Sequence, residues 1–279
     1  MSVIKWEGLA TATSSIVHGS QVLGTITYLR REKFLLPDGL IEEIPVLSGN
    51  AWRGLLRDIA ADIWWERVGK PKLTLPVVHA LWSGGALAKV SGPTLTGLRL
   101  ASLRKAVPVV GVFGTAGGGR IIDGCLQVGK MIPICKETVH LLPKGIVLNE
   151  ELNSIWDITQ IEHYSKIPII NKEHLEASSV EDKMDPMRFG VETFIAGTKF
   201  YTWCSLTWPT NLEVSFFREV LSQYCEEGAI GGMSRAGHGR LDLALIESKN
   251  SFLEGNMVSW RDSLPYSDLE LLEMLSWLD

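Results

Sequence analysis

Ile44-Pro45-Val46-Leu47-Ser48-Gly49-Asn50-Ala51-Trp52-Arg53-Gly54-Leu55-Leu56-Arg57 is the stretch on which the fold turns. A short apolar run gives way to small and polar residues, and Ser48-Gly49-Asn50 supplies a helix N-cap. Beyond the cap, Trp52, Leu55, Leu56, Ile59, Ile63 and Trp64 recur at three- and four-residue steps. That spacing predicts an amphipathic helix over 51–68, stopped by Gly69 and Pro71. Unpaired N–H groups and the dipole at such a start attract an anion, and Arg53 and Arg57 stand one turn apart, so the stretch suits a phosphate.

A second stretch, Gly231-Gly232-Met233-Ser234-Arg235-Ala236-Gly237-His238-Gly239-Arg240, has the same chemical character. Its glycines permit positive φ and close backbone approach, leaving Ser234, Arg235, His238 and Arg240 to address a polyanion. Each stretch taken alone also has an ordinary structural explanation, as a helix cap or as a tight loop.

Outward from these two stretches, residues 3–17 alternate as a half-buried first strand. Residues 18–47 carry basic clusters and turn residues, and read as a long excursion or irregular hairpin. The glycine-crowded span from 73 to 120 reads as loops and short strands. Strand composition marks 121–134 and 191–208, and the polar stretch 157–190 between them reads as a protruding hairpin or loop. Asn211 is read as the cap of a second helix that buries Leu212, Phe216, Phe217, Val220, Leu221 and Tyr224 and ends at Gly228. A strand follows at 241–246, then a short helix opened by the capping box Ser267-Asp268-Leu269-Glu270. The expected class is α+β, in the order βαββαβ of a modified ferredoxin-like (RRM-type) core with large insertions at 18–47 and 69–135, as one domain over 1–279.

Composition narrows the function. No run approaches the roughly 18 to 20 apolar residues of a membrane-spanning helix, and the start lacks a basic region followed by an apolar one, which points to a cytoplasmic protein. The four cysteines show no CxxC spacing, so neither a zinc ribbon nor a disulfide framework is signalled. A formal charge of −5 rules out a uniformly basic coat, so phosphate affinity must come from local clusters such as Arg30-Arg31 and Arg53/Arg57. The run Gly114-Thr115-Ala116-Gly117-Gly118-Gly119-Arg120 lacks the Gly-Lys-Ser/Thr ending of a nucleotide-binding P-loop. Of the ten tryptophans, Trp52, Trp64, Trp203, Trp208 and Trp277 fall in amphipathic elements and read as core, which argues against a carbohydrate platform and leaves Trp82, beside Ser83-Gly84-Gly85, unassigned.

Together and in this order, the two stretches resemble the RAMP superfamily of CRISPR-associated proteins, whose members carry P-x-x-x-G-[SN]-x-x-[RK]-G-x-[LM]-R at a helix start and G-G-x-x-x-x-G-x-G-R near the C-terminus. Residues 79–85, 113–124 and 195–200 extend the likeness, which spans about 14–243. Through Leu23-Gly24-Thr25-Ile26-Thr27-Tyr28-Leu29-Arg30-Arg31 it is greatest to the type IV effector backbone protein, with type III backbone subunits next.

The resemblance implies a right-hand-shaped subunit that binds guide RNA (crRNA), stacks along it in a helical filament and presents it for target pairing, with 157–190 as candidate thumb. It implies an RNA-binding set of Arg30, Arg31, Ser48, Gly49, Asn50, Trp52, Arg53, Arg57, Gly118, Arg120, Gly231, Gly232, Met233, Ser234, Arg235, His238 and Arg240. Partners would be guide RNA, a complementary target nucleic acid, copies of the chain and other effector subunits, a helicase among the candidates. No cofactor or metal is implied, and no membrane. Type III relatives cut target RNA with an aspartate where this chain has Thr27, which cannot act as a carboxylate, so binding without catalysis is expected. The rival reading is a type III-like target-RNA-cleaving backbone ribonuclease. His18 is the other catalytic candidate, as a general acid or base towards a ribose hydroxyl.

Overall fold

The computed structural model describes residues 3–85, 95–117, 120–146, 151–166, 187–248, 259–262 and 268–278. Strand β1 (Val3–Ala12) buries Ile4, Trp6, Ala10 and Ala12 on one face, the period-two pattern of a sheet covered on that side. The excursion at 18–47 is two successive hairpins, β2 (Gly19–Leu23) with β3 (Ile26–Leu29), and β4 (Arg31–Leu35) with β5 (Ile41–Pro45). Helix α1 (Gly49–Arg67) follows, with Ser48 Oγ accepting from the Ala51 N–H. Its apolar stripe of Trp52, Leu56, Ile59, Ile63 and Trp64 is buried, as the sequence spacing predicts.

Residues 73–120 differ from the sequence reading, because three helices occupy much of the span. They are α2 (Leu75–Trp82), α3 (Gly97–Ala106) and α4 (Pro108–Phe113). The glycines punctuate the span without interrupting these helices. Pro76 and Pro108 stand at helix starts, where a missing N–H costs nothing, and Thr96 Oγ1 accepts from the Arg99 N–H to cap α3. Short strands β6 (Thr115–Gly117), β7 (Arg120–Ile122), β8 (Leu126–Val128) and β9 (Ile132–Pro133) come next, then β10 (Thr159–Lys166), β11 (Met187–Phe194) and β12 (Lys199–Thr207). Residues 167–186, most of the candidate thumb, lie outside the described residues.

Helix α5 (Asn211–Glu227) is capped by Thr210 and not by Asn211. Thr210 and Glu213 form a reciprocal capping box, and Gly228 closes the helix in the left-handed conformation at φ 54°. Strand β13 (Leu241–Glu247) and helix α6 (Asp268–Ser276) complete the described chain, while Ser267, read as the cap of the last helix, is outside it.

The main sheet runs β13-β1-β12-β8, with β9 also on β12, and every ladder in it is antiparallel. A second sheet runs β10-β11-β3-β2, its β11–β3 ladder parallel at Gly190↔Ile26 and Val191↔Thr27. Helices α1 and α5 pack against each other, with Trp52 and Tyr224 ring centroids 6.1 Å apart, while Phe217 meets Trp6 of the main sheet edge-on at 5.2 Å. Trp52 and Trp64 are fully buried; a large apolar side chain removed from water contributes about 1.5 to 3 kcal/mol. Among the described residues, no helix is long and apolar enough to cross a membrane.

Candidate nucleic-acid interface

Residues 13–18, which leave β1 and lead into β2, run between the two glycine-bordered stretches and bond to both. On one side the Thr13 N–H donates to the Arg240 carbonyl at 2.9 Å, the Gly239 N–H to the Ser15 carbonyl at 2.9 Å and the Gly232 N–H to the Val17 carbonyl at 2.8 Å. On the other, the Ser48 N–H donates to His18 Nε2 at 3.2 Å, and the Arg30 N–H to the His18 carbonyl at 2.8 Å. The start of α1, the Arg30 corner and the glycine loop therefore meet along one short segment. Gly239 has φ 82°, and a Cβ there would stand 2.2 Å from the Ile230 carbonyl oxygen, so the loop lies flat against its neighbour only with glycine. Met233 holds φ 58° with a side chain, a strained conformation for a bulky residue.

Several candidates are turned outward at this junction. Ser234 and Arg235 are exposed, and Arg235 has no ion-pair or hydrogen-bond partner among the described residues. Arg240 is exposed, its Nη1 donating to the Glu227 carbonyl at 2.8 Å. Arg30 is exposed, with Nε 4.0 Å from a Glu32 oxygen, at the limit of an ion pair. Asn50 is exposed, as are Gly231 and Gly232.

Other candidates point elsewhere, and the sequence reading is corrected for them. The Trp52 side chain lies in the core at 0% exposure and cannot meet a surface ligand. His238 is buried at 4%, its Nδ1 2.8 Å from Ser15 Oγ and its Nε2 bonded to the Tyr164 hydroxyl. The Tyr164 O–H donates to a Glu162 oxygen at 3.0 Å, so His238, Ser15, Tyr164 and Glu162 form one connected polar cluster. Both imidazole nitrogens are thus engaged inside the protein. Arg31 is committed to the buried Glu192, Nη1 lying 2.6 Å from Oε2; this carboxylate raises the arginine pKa and also accepts from the Leu29 N–H. Ser48 is buried at 9% and its hydroxyl serves the helix cap. Gly49 sits against the carbonyl oxygens of Val128 and Gly129, each 2.9 Å from where a Cβ would be, so a side chain at this position would collide with backbone.

Arg53 and Arg57 form a second cationic place beside the first. Arg53 Nη2 donates to the Phe113 carbonyl at 2.6 Å, and Arg57 Nη2 donates to the same oxygen at 2.7 Å and to the Gly114 carbonyl at 3.1 Å. Burial, then the neighbouring Arg53 charge, lowers Arg57 to about 10, and burial lowers Arg53 as well. Neither forms an ion pair among the described residues, and Arg53 Nε is buried with no hydrogen-bond partner among them. The Arg57 guanidinium also lies over the Phe113 ring at 5.6 Å, and two like charges held this close are stabilised by an arriving anion. Arg120 is exposed and donates to the Leu95 carbonyl at 3.1 Å; Gly118 lies outside the described residues.

The catalytic candidates have definite surroundings too. Thr27 is in β3, paired with Val191 and Val22. His18 Nε2 accepts the Ser48 N–H, which requires the neutral ring; burial, then the Arg30 charge, lowers its pKa. Among the described residues, no three His, Cys, Asp or Glu side chains gather as a metal site. Sequence reasoning missed Glu192, the Phe113 carbonyl and the Glu162–Tyr164 pair. Only the last left a signal, since residues two apart on a strand share a face.

No family model and no curated protein matches the sequence. Among solved structures, a chain of a Type IV-B CRISPR complex is similar to this protein at a TM-score of 0.63 and 28% identity. The match covers 94% of this chain and 100% of that one.

Proposed function

We propose that the protein is a guide-RNA-binding backbone subunit of a CRISPR effector complex, which holds RNA along its sugar-phosphate chain and does not cut it. The observation that carries this is the end-to-end likeness to a chain of a Type IV-B CRISPR complex. The strand order β13-β1-β12-β8, with α1 and α5 as the two connecting helices, supports the ferredoxin-like (RAMP-type) reading of the core. The meeting of both glycine-bordered stretches along residues 13–18 supports one continuous grip. Arg30, Arg235 and Arg240 would hold phosphates at the junction, with Arg53 and Arg57 as a second contact. Such contacts accommodate any guide sequence, and the exposed bases recognise a target by pairing. Partners would be guide RNA, its target, further copies of the chain and companion subunits.

Thr27, where type III relatives carry an aspartate, favours binding over cleavage. The test loads the protein with guide RNA and adds an end-labelled complementary RNA with magnesium or manganese. The expected result is stable capture of an intact target. Cutting at regular spacing would sustain the ribonuclease reading, and failure to retain any guide would overturn both.

A further inference from the structure

The hairpin of β4 and β5 ends in an apolar knob that the RNA-binding reading does not use. Leu35 pairs with Ile41 across the strands, and Leu35, Leu40 and Ile41 are 64%, 65% and 68% exposed. The tip is built firmly. The Leu36 N–H donates to the Leu40 carbonyl at 2.8 Å, the Gly39 N–H to the Leu36 carbonyl at 2.9 Å and the Leu40 N–H to Asp38 Oδ1 at 3.0 Å. A preformed knob loses little conformational freedom on binding. Lys33 and Glu43 pair across the strands and offset each other, so Asp38 is the unbalanced charge at the tip and the sole charged residue from Phe34 to Ile41. An aliphatic knob with a negative charge is repelled by phosphates and suits a protein surface.

Elsewhere on the molecule a cavity of about 510 Å³ opens between α3 and the start of α5, lined by Ala101, Arg104, Lys105, Thr210, Leu212 and Glu213. Arg104 and Glu213 neutralise each other at 2.7 Å. Lys105 is exposed and has no ion-pair partner among the described residues. Leu98, on the same face of α3 as Ala101 and Lys105, is 85% exposed. The cavity thus has an aliphatic wall and a single unbalanced positive charge at its edge, the complement of the knob.

We propose that this cavity receives the β4–β5 tip of a second copy of the chain, with Leu40 and Ile41 entering between α3 and α5 and Asp38 meeting Lys105. The proposal rests on the reading of the protein as one subunit of a multi-subunit particle, and it assigns the surfaces by which copies join. Knob and cavity are different patches, so the contact is heterologous and each joined pair keeps one free knob and one free cavity. Copies add head to tail.

The test is sedimentation velocity over a concentration series, with and without guide-length RNA, on the wild type, a knob variant (Leu40→Asp with Ile41→Asp) and a cavity variant (Ala101→Glu with Lys105→Asp). All the changed side chains are exposed, which spares the fold. Without RNA, the wild type is expected to grow through a ladder of multiples and each variant alone to stay monomeric; with guide-length RNA, only the wild type should load its copies cooperatively. An equimolar mixture of the two should stop at a dimer, since it contains one working knob and one working cavity. Asp38→Lys combined with Lys105→Asp in one chain should restore the ladder. A wild type monomeric under all conditions, variants that assemble like it, or a mixture that stays monomeric would overturn the proposal. Binding of a short RNA spanning one copy should be equal in all forms; its absence would count against the proposed function and leave the assembly result standing.

Discussion

Gly237 and Gly239 sit two residues apart in the glycine loop with φ near 90° and 82°, yet they are needed for different reasons. Open space surrounds the position of a Cβ at Gly237, whereas at Gly239 the Ile230 carbonyl oxygen would be 2.2 Å away. Gly237→Ala is expected to cost only its backbone strain, about 1 kcal/mol. Gly239→Ala adds a backbone collision and should cost clearly more, with a Tm several degrees lower than that of the first variant. Thermal unfolding of the pair checks this, and equal Tm values would refute it. At the same scale, which arginines are free could not be read from the sequence. Arg30 and Arg31 are neighbours at the join between β3 and β4, but the second pairs with Glu192, 161 residues further on, and the first stays at the surface. Arg53 and Arg57 share a helix face, as their spacing predicts, but their acceptor is a backbone carbonyl that has no sequence signature.

The elements themselves were legible where period and caps agree. Helices α1 and α5 follow their apolar stripes to within two or three residues, and the cap shift from Asn211 to Thr210 reflects a capping box completed by Glu213. Helices α2 to α4 were hidden because glycines crowd the span around them, and α3 has almost no one-sided apolar pattern. Only Leu103 and Ala106 of α3 are buried. The tie between the glycine loop and β10 was equally invisible, since Ser15, Glu162, Tyr164 and His238 come from three distant segments. Its contribution can be measured. Tyr164→Phe leaves His238 Nε2 without its hydrogen-bond partner inside the protein, at a cost of about 1 to 3 kcal/mol. Amide exchange in the loop at 231–240 is therefore expected to quicken by about tenfold or more, while the α1 core stays protected. Unchanged loop exchange would mean that the tie does not hold the loop.

For the molecule as a whole, the mixed α+β class was readable from the alternation of strand and helix patterns, and the main sheet takes the order β13-β1-β12-β8. The second sheet was not readable, because its parallel contact between β3 and β11 joins residues more than 160 positions apart and is only two residues long. In a chain of formal charge −5, Arg30 and Arg235 stand exposed at two corners that backbone bonds from residues 13–18 bring together. The claim that they grip a single strand is tested most directly by the salt dependence of guide RNA affinity in the wild type, Arg30→Ala, Arg235→Ala and the double variant. Each phosphate contact with a single strand contributes about 0.7 to the slope of log K against log salt. Each single variant is expected to lower the slope by about that amount and the double variant by about twice as much. Slopes and affinities unchanged from the wild type in all three variants would contradict a shared grip.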